Sequence, residues 1–152
     1  MLSVQKILCP TDFSEPSYSG VEIGNELAAH FNAELILINV IPPPLPLGAP
    51  GVPASYKMEE YYRDMTEFAE ESLENLIREK ISDNVKVRTI VEKGNVPDEI
   101  VKNADAEKTD IIVISTHGWS GWRHLVFGSV AEKVIRLAQC RVLAVPQPEE
   151  SP

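Results

Sequence analysis

The 152-residue sequence predicts an α/β fold, a doubly wound sandwich of helices around a five-stranded parallel sheet. Two observations predict it. Short segments rich in β-branched residues and leucine alternate with longer segments of helical period, in the order β-α-β-α-β-α-β-α-β. Three of the strand segments, Ile7 to Cys9, Leu35 to Ile38 and Ile111 to Ile114, are unbroken apolar runs, the pattern of strands covered on both faces.

Val4 to Cys9 is the first strand. Ser14, with Pro16 two residues on, starts the first helix, whose apolar stripe is Val21, Gly24, Leu27, Ala28 and Phe31. After the second strand, Leu35 to Ile41, six of the chain's twelve prolines fall between Pro42 and Pro53, which rules out helix and central strand there. The Pro-rich loop 42–55 reads as a surface connection, with a lid or protein-docking segment as the alternative. Met65, Phe68, Ala69, Leu73, Leu76 and Ile77 mark the second helix. Val85 to Val91 alternates with Lys and Arg and is placed at a sheet edge. Asn95 followed by Pro97 starts the third helix, with Ile100, Val101 and Ala104 inward. Ile111 to Ile114 is strand four. Ser129 with Glu132 three residues on has the spacing of a capping box, opening a helix on Val130, Val134, Leu137 and Ala138. Arg141 to Val145 is strand five. One domain is expected over 1–146, with a frayed acidic tail at 147–152.

Fourteen Lys and Arg against 23 Asp and Glu leave a net charge of −9. That sign repels phosphate backbones and anionic lipid over most of the surface, so nucleic-acid and membrane binding are disfavoured. An anionic ligand then needs a local pocket of backbone amides and a few cations. Cys9 and Cys140 form no CxxC, and no apolar run approaches the roughly 20 residues of a membrane span. A reducing, cytoplasmic setting is expected.

In an open α/β sheet ligands bind at the carboxyl ends of the strands. The connection after strand four, Ser115 to Ser129, combines Gly118, Gly121 and Gly128 with Arg123, His117, His124, Trp119 and Trp122, and ends at a helix start. Glycines let backbone approach closely and free first-turn amides carry partial positive charge, so the loop suits a triphosphate. Competing motifs fail. Gly118-Trp119-Ser120-Gly121 is one residue short of a nucleophile elbow, no P-loop or G-x-G-x-x-G is present, and His117 and His124 match no zinc spacing.

Ser115-Thr116-His117-Gly118, nine residues, then Gly128-Ser129 resembles the G-x-x-G-x9-G-[ST] signature of the ATP-binding members of the universal stress protein family. The resemblance extends through Lys6 to Ser14, Gly94 to Val101, Asp110 to Ile114 and Ala138 to Pro146. It implies sheet order 3-2-1-4-5, a Rossmann-like sandwich of the nucleotide-α-hydrolase type, a homodimer, and ATP (or ADP or AMP) across strands one and four. Asp12 would contact the adenosine end, Pro10 and Thr11 would shape that wall, and the backbone of Val40 would meet adenine. Gly118 and Gly128 would let the loop wrap the phosphates, which Ser129 and the Val130 amide would bind. Mg²⁺ would ride on the phosphates rather than in a protein cage. Ser115 replaces the signature's first glycine, which is harmless in an ordinary backbone conformation and straining at positive φ. Arg123 is the local cation, and His117 and His124 are further phosphate-contact candidates.

Other roles stay open at this point. Ser129 could be a helix cap, Asp12 an Asx-turn residue, and Gly128 a packing glycine. No residue pair reads as a positioned general base, so at most slow ATP hydrolysis is expected. The exposed apolar edge of strand 141–145 suits pairing with a second copy. The alternative function is a nucleotide-independent interaction module of the same fold. An adenylating enzyme is disfavoured, since Cys9 to Ser14 lacks the S-G-G-x-D-S loop.

Overall fold

A computed structural model describes residues 2–46, 49–51, 57–117 and 127–147. Its elements run β1 (Lys6–Pro10), α1 (Glu15–Phe31), β2 (Glu34–Ile41), α2 (Met58–Lys80), β3 (Val87–Lys93), α3 (Val96–Ala106), β4 (Ile111–Ser115), α4 (Ser129–Leu137) and β5 (Arg141–Val145). All strand pairs are parallel, in the order β3-β2-β1-β4-β5. β1 is central: Leu8 stands level with Ile36 on one side and Ile112 on the other. Period-two alternation splits the apolar runs between two cores. Ile7, Cys9, Leu35, Leu37 and Val113 pack under Val21 and Ala28 of α1 and Leu73 and Leu76 of α2. Leu8, Ile36, Ile38, Ile112 and Ile114 pack under Ile100 and Ala104 of α3 and Ala131 and Val134 of α4. The two helix pairs therefore cover opposite faces, and the winding reverses between β1 and β4.

α1 lies very close to the sheet. Ser14 caps it, its Oγ accepting the Ser17 N–H at 3.3 Å, and Asn32 ends it in the left-handed region at φ 53. A methyl on Gly24 would overlap the buried Cys9 Sγ, and one on Gly20 would stand 3.0 Å from the Ser115 nitrogen. Those two glycines set the distance from α1 to β1 and β4.

Three sequence expectations need correction. β1 begins at Lys6 rather than Val4, because the N–H groups of Gln5 and Lys6 donate to the Asp110 carboxylate at 2.8 and 3.0 Å. β3 begins at Val87 rather than Val85, whose N–H closes a turn on the Ser82 carbonyl. The third concerns α4. Its N-cap is Gly128, Ser129 is already helical, and among the described residues no side chain caps the end, so the Ser129–Glu132 capping box does not form. Helix α4 also stops at Leu137, which is exposed, and Ala138 lies beyond it. Ile135 and Leu143 are exposed as well.

At the amino ends of the strands, remote from the carboxyl ends, Arg88 of β3 donates to Glu34 of β2 at 3.2 Å and grips Glu107 at the end of α3 with both terminal nitrogens. Lys6 and Lys86 complete the network at 3.6 and 3.2 Å. The Arg88 hydrogen bond holds the Glu107 carboxyl below its ordinary range. At Glu34 burial opposes ionisation, but hydrogen bonds from Lys86 and Arg88 outweigh it and the net direction is again down. Carboxylates lowered on folding add stability above their unfolded pKa and lose it as pH falls through the folded value. Arg88→Gln is therefore expected to cost about 1 kcal/mol at neutral pH. The gap from wild type should shrink on acidification below the ordinary glutamate range, as urea midpoints over a pH series would register.

Candidate functional site

The carboxyl ends of β1, β2 and β4 open onto a cleft of about 750 Å³. Its size is that of a small-molecule site. One wall is the β1–α1 turn. Asp12 Oδ1 accepts the Ser14 N–H at 3.0 Å and the Ser14 hydroxyl, an Asx-turn, while Thr11 Oγ1 accepts the Phe13 N–H at 3.0 Å and pairs with Ser17 Oγ at 2.8 Å. Both backbone polar groups of Thr11 are tied to β2, its N–H donating to the Ile38 carbonyl and its carbonyl accepting Asn39 Nδ2, each at 2.9 Å. This bonding holds Phe13 at φ 64, a conformation that costs a non-glycine residue about 1 kcal/mol. Its ring meets Phe68 of α2 edge-on, centroids 5.8 Å apart.

The opposite wall is the end of β4 and the start of α4. Ser115 is the last residue of β4 and is absent from the positive-φ positions, so serine is unstrained where the signature has glycine. Its hydroxyl donates to the His117 carbonyl at 2.9 Å. Thr116 is anchored through its N–H to the Val145 carbonyl at 3.0 Å, and its Oγ1 lies 2.8 Å from His117 Nδ1. The Gly128 N–H returns to the Thr116 carbonyl at 2.6 Å, and a Cβ on Gly128 would stand 3.0 Å from that same oxygen. Such an approach admits only glycine without movement. It brings the chain onto α4 with the first-turn amides of Ser129, Val130 and Ala131 along the cleft and, among the described residues, without a side-chain cap.

Pro10, Thr11, Asp12, Val40, Ser115, His117, Gly128, Ser129 and Val130 all line this one cleft. Gly118, Arg123, Trp119, Trp122 and His124 lie outside the described residues. Asn39, Phe13, Tyr18, Met65 and Phe68 also line it and were not singled out by sequence as site residues. Asn39 had a signal, a lone amide inside the run from Leu35 to Ile41. Phe68, expected in the core, is 55% exposed at the cleft because this part of α2 passes the ends of the strands. Among the described lining residues Asp12 is the carboxylate and no Lys or Arg is present, so an anion here meets backbone dipoles first. Burial, helped by Glu15 and Glu79, pushes the Tyr18 phenol up and keeps it neutral.

Asn39→Ala removes the bond that fixes the Thr11 carbonyl inside the structure. A loss of about 1–2 kcal/mol is expected from thermal unfolding, the cost of orphaning a buried acceptor.

A parallel sheet wound to both faces, with a cleft at its reversal point bordered by the first turn of α4, defines a doubly wound α/β protein of the class that places its sites at such a cleft. The universal stress protein family profile matches residues 3–146, and the chain belongs to that family. Universal stress protein MJ0531 of Methanocaldococcus jannaschii is 33% identical over 148 residues, 96% of this chain and 84% of its own. The solved structure of MJ0577 from the same organism superposes with a TM-score of 0.78 at 32% identity, covering 98% of this chain and all of that one. Two further structures share the fold. A universal stress protein in complex with cAMP has a TM-score of 0.67 at 22% identity, covering 95% of this chain and 98% of its own. One from Archaeoglobus fulgidus in complex with dAMP has 0.61 at 21%, covering 95% and 98%.

Proposed function

We propose that this protein binds an adenine nucleotide in the cleft and acts as a nucleotide-loaded regulatory homodimer in the cytoplasmic stress response, with ATP hydrolysis slow at most. The observation that carries the reading is the first turn of α4, without a side-chain cap among the described residues and delivered to the cleft by the Gly128–Thr116 contact. Phosphates would accept from the Ser129 hydroxyl and the Val130 amide, with Mg²⁺, where present, held by the phosphates themselves. The adenosine end would lie along Pro10, Thr11 and Asp12 and reach Val40, a wall held by the Asn39–Thr11 and Ser14–Asp12 hydrogen bonds. The cAMP and dAMP complexes of family members support the ligand class. No helix among the described residues is long and apolar enough to cross a membrane. The dimer would form through the exposed edge of β5, a role the outward Leu143 suits. The reading assigns 1–146 to a single nucleotide-binding domain.

Ser129→Glu tests this directly. A carboxylate at a helix start is favourable to the helix dipole, so stability should hold or rise slightly. The same charge repels phosphate, so calorimetric titration of ATP with Mg²⁺ into ligand-stripped protein should show binding by wild type and none by the variant. Equal binding by both would return Ser129 to a purely structural role. Absence of binding by wild type would favour the nucleotide-independent interaction module, with the Pro-rich loop as a contact.

A further inference from the structure

A second cavity, of about 260 Å³, adjoins the cleft. It is lined by Pro42, Pro43, the β3–α3 turn from Gly94 to Pro97, and Ser129, Val130 and Lys133 of α4. Pro42, Val96, Ser129 and Val130 border both spaces, so the two adjoin along the first turn of α4. Lys133 is the only Lys or Arg among the described residues that line either cavity. It is exposed and sits one turn beyond Ser129 on the same side of the helix, and helical side chains lean toward the helix start, so its stem is directed toward the first turn. No ion pair engages Lys133 among the described residues, while the nearby Glu99 carboxylate, packed beside Gly94, is paired with Lys102 at 3.6 Å. In a chain of net charge −9, a cation without an ion pair among the described residues, on the wall of a cavity next to first-turn amides, is a local reversal of field.

We propose that this side cavity is the subsite for the distal phosphates of the nucleotide, with Lys133 as its cation, so that the protein favours nucleoside di- and triphosphates over monophosphates. The inference rests on the nucleotide reading above and adds a selectivity to it. A monophosphate ends at the α4 amides and never reaches Lys133. Each further phosphate adds charge that extends past Val130 into the side cavity.

The test compares ATP and AMP titrations into ligand-stripped full-length wild type, Lys133→Gln and Lys133→Arg, at one fixed Mg²⁺ concentration. Lys133→Gln should weaken ATP on the order of tenfold while leaving AMP unchanged, and Lys133→Arg should keep most of the wild-type preference. The wild-type preference should also shrink with added salt, and that salt dependence should flatten in Lys133→Gln. An ATP-to-AMP ratio that is the same in wild type and Lys133→Gln overturns the subsite even when both nucleotides bind. Failure of wild type to bind either nucleotide overturns the nucleotide reading itself, and the subsite with it.

Discussion

Gly24→Ala is expected to destabilise the protein by about 2 kcal/mol, and Cys9→Ala is expected to rescue it. The added methyl would overlap Cys9 Sγ, which is fully buried and has Leu35 as a close neighbour of the same site. Overpacking of this kind costs about 3 kcal/mol, against about 1 kcal/mol gained by replacing a helix glycine with alanine. In a chain of this size the net shifts Tm by roughly 4–8 °C. Cys9→Ala alone should cost about 1 kcal/mol. In the double variant the methyl introduced at position 24 enters the space the sulfur leaves, so the two changes should couple by about 2 kcal/mol. Denaturant unfolding of all four members of the cycle measures that coupling. A strictly additive double variant would mean that α1 does not approach β1 as described.

Gly128→Ala should separate affinity from stability. Gly128 has φ −68, so alanine meets no conformational penalty, and the loss of a flexible glycine alone would stabilise by about 0.5 kcal/mol. The obstacle is spatial: the methyl would press on the Thr116 carbonyl at 3.0 Å, the acceptor of the Gly128 N–H. Relief requires the entry to α4 to move away from Thr116, and with it the amides that face the cleft. Nucleotide affinity should fall about tenfold or more, since charged hydrogen bonds lose strength steeply with misalignment, while the unfolding midpoint stays within about 1 kcal/mol of wild type. A parallel loss of both would point to general unfolding of the region instead.

The sheet was legible because its interior strands are buried twice over. Ile7 to Cys9, Leu35 to Ile38 and Ile111 to Ile114 cannot alternate when helices cover both faces, and their apolar continuity survives as a local signal. Edge status was equally readable in Val85 to Val91, where Lys86 and Arg88 break the apolar pattern, although the strand itself runs Val87–Lys93. What sequence could not show was how separate segments meet. Ser129 and Glu132 satisfy the spacing of a capping box, yet the helix starts one residue earlier than that pattern needs, because the Thr116 carbonyl, twelve residues upstream, holds Gly128 as the cap. Phe68 belongs to a regular apolar stripe, but a stripe does not tell where the sheet beneath it ends. The topology rule pointed to the loops at the ends of β1, β2 and β4, whereas Pro10, Thr11, Asp12 and Val40 were named only through the family resemblance. Asn39 and Lys133 were missed because their meaning depends on Thr11 and on the β3–α3 turn, neither of which is near in sequence.

The buried Cys9 has one more consequence. Its side chain is wholly inside and desolvation pushes its thiol up, so almost no thiolate is exposed to an alkylating reagent while the fold is closed. Cys140 is only half-buried and should react first. The slow phase of labelling is then a built-in clock for opening of the central strand. A ligand that binds only the closed form should slow that clock by the factor by which it shifts the equilibrium, about a hundredfold at a hundred times Kd. Reagent consumption alone would thus rank ligands for this protein without any assay of activity.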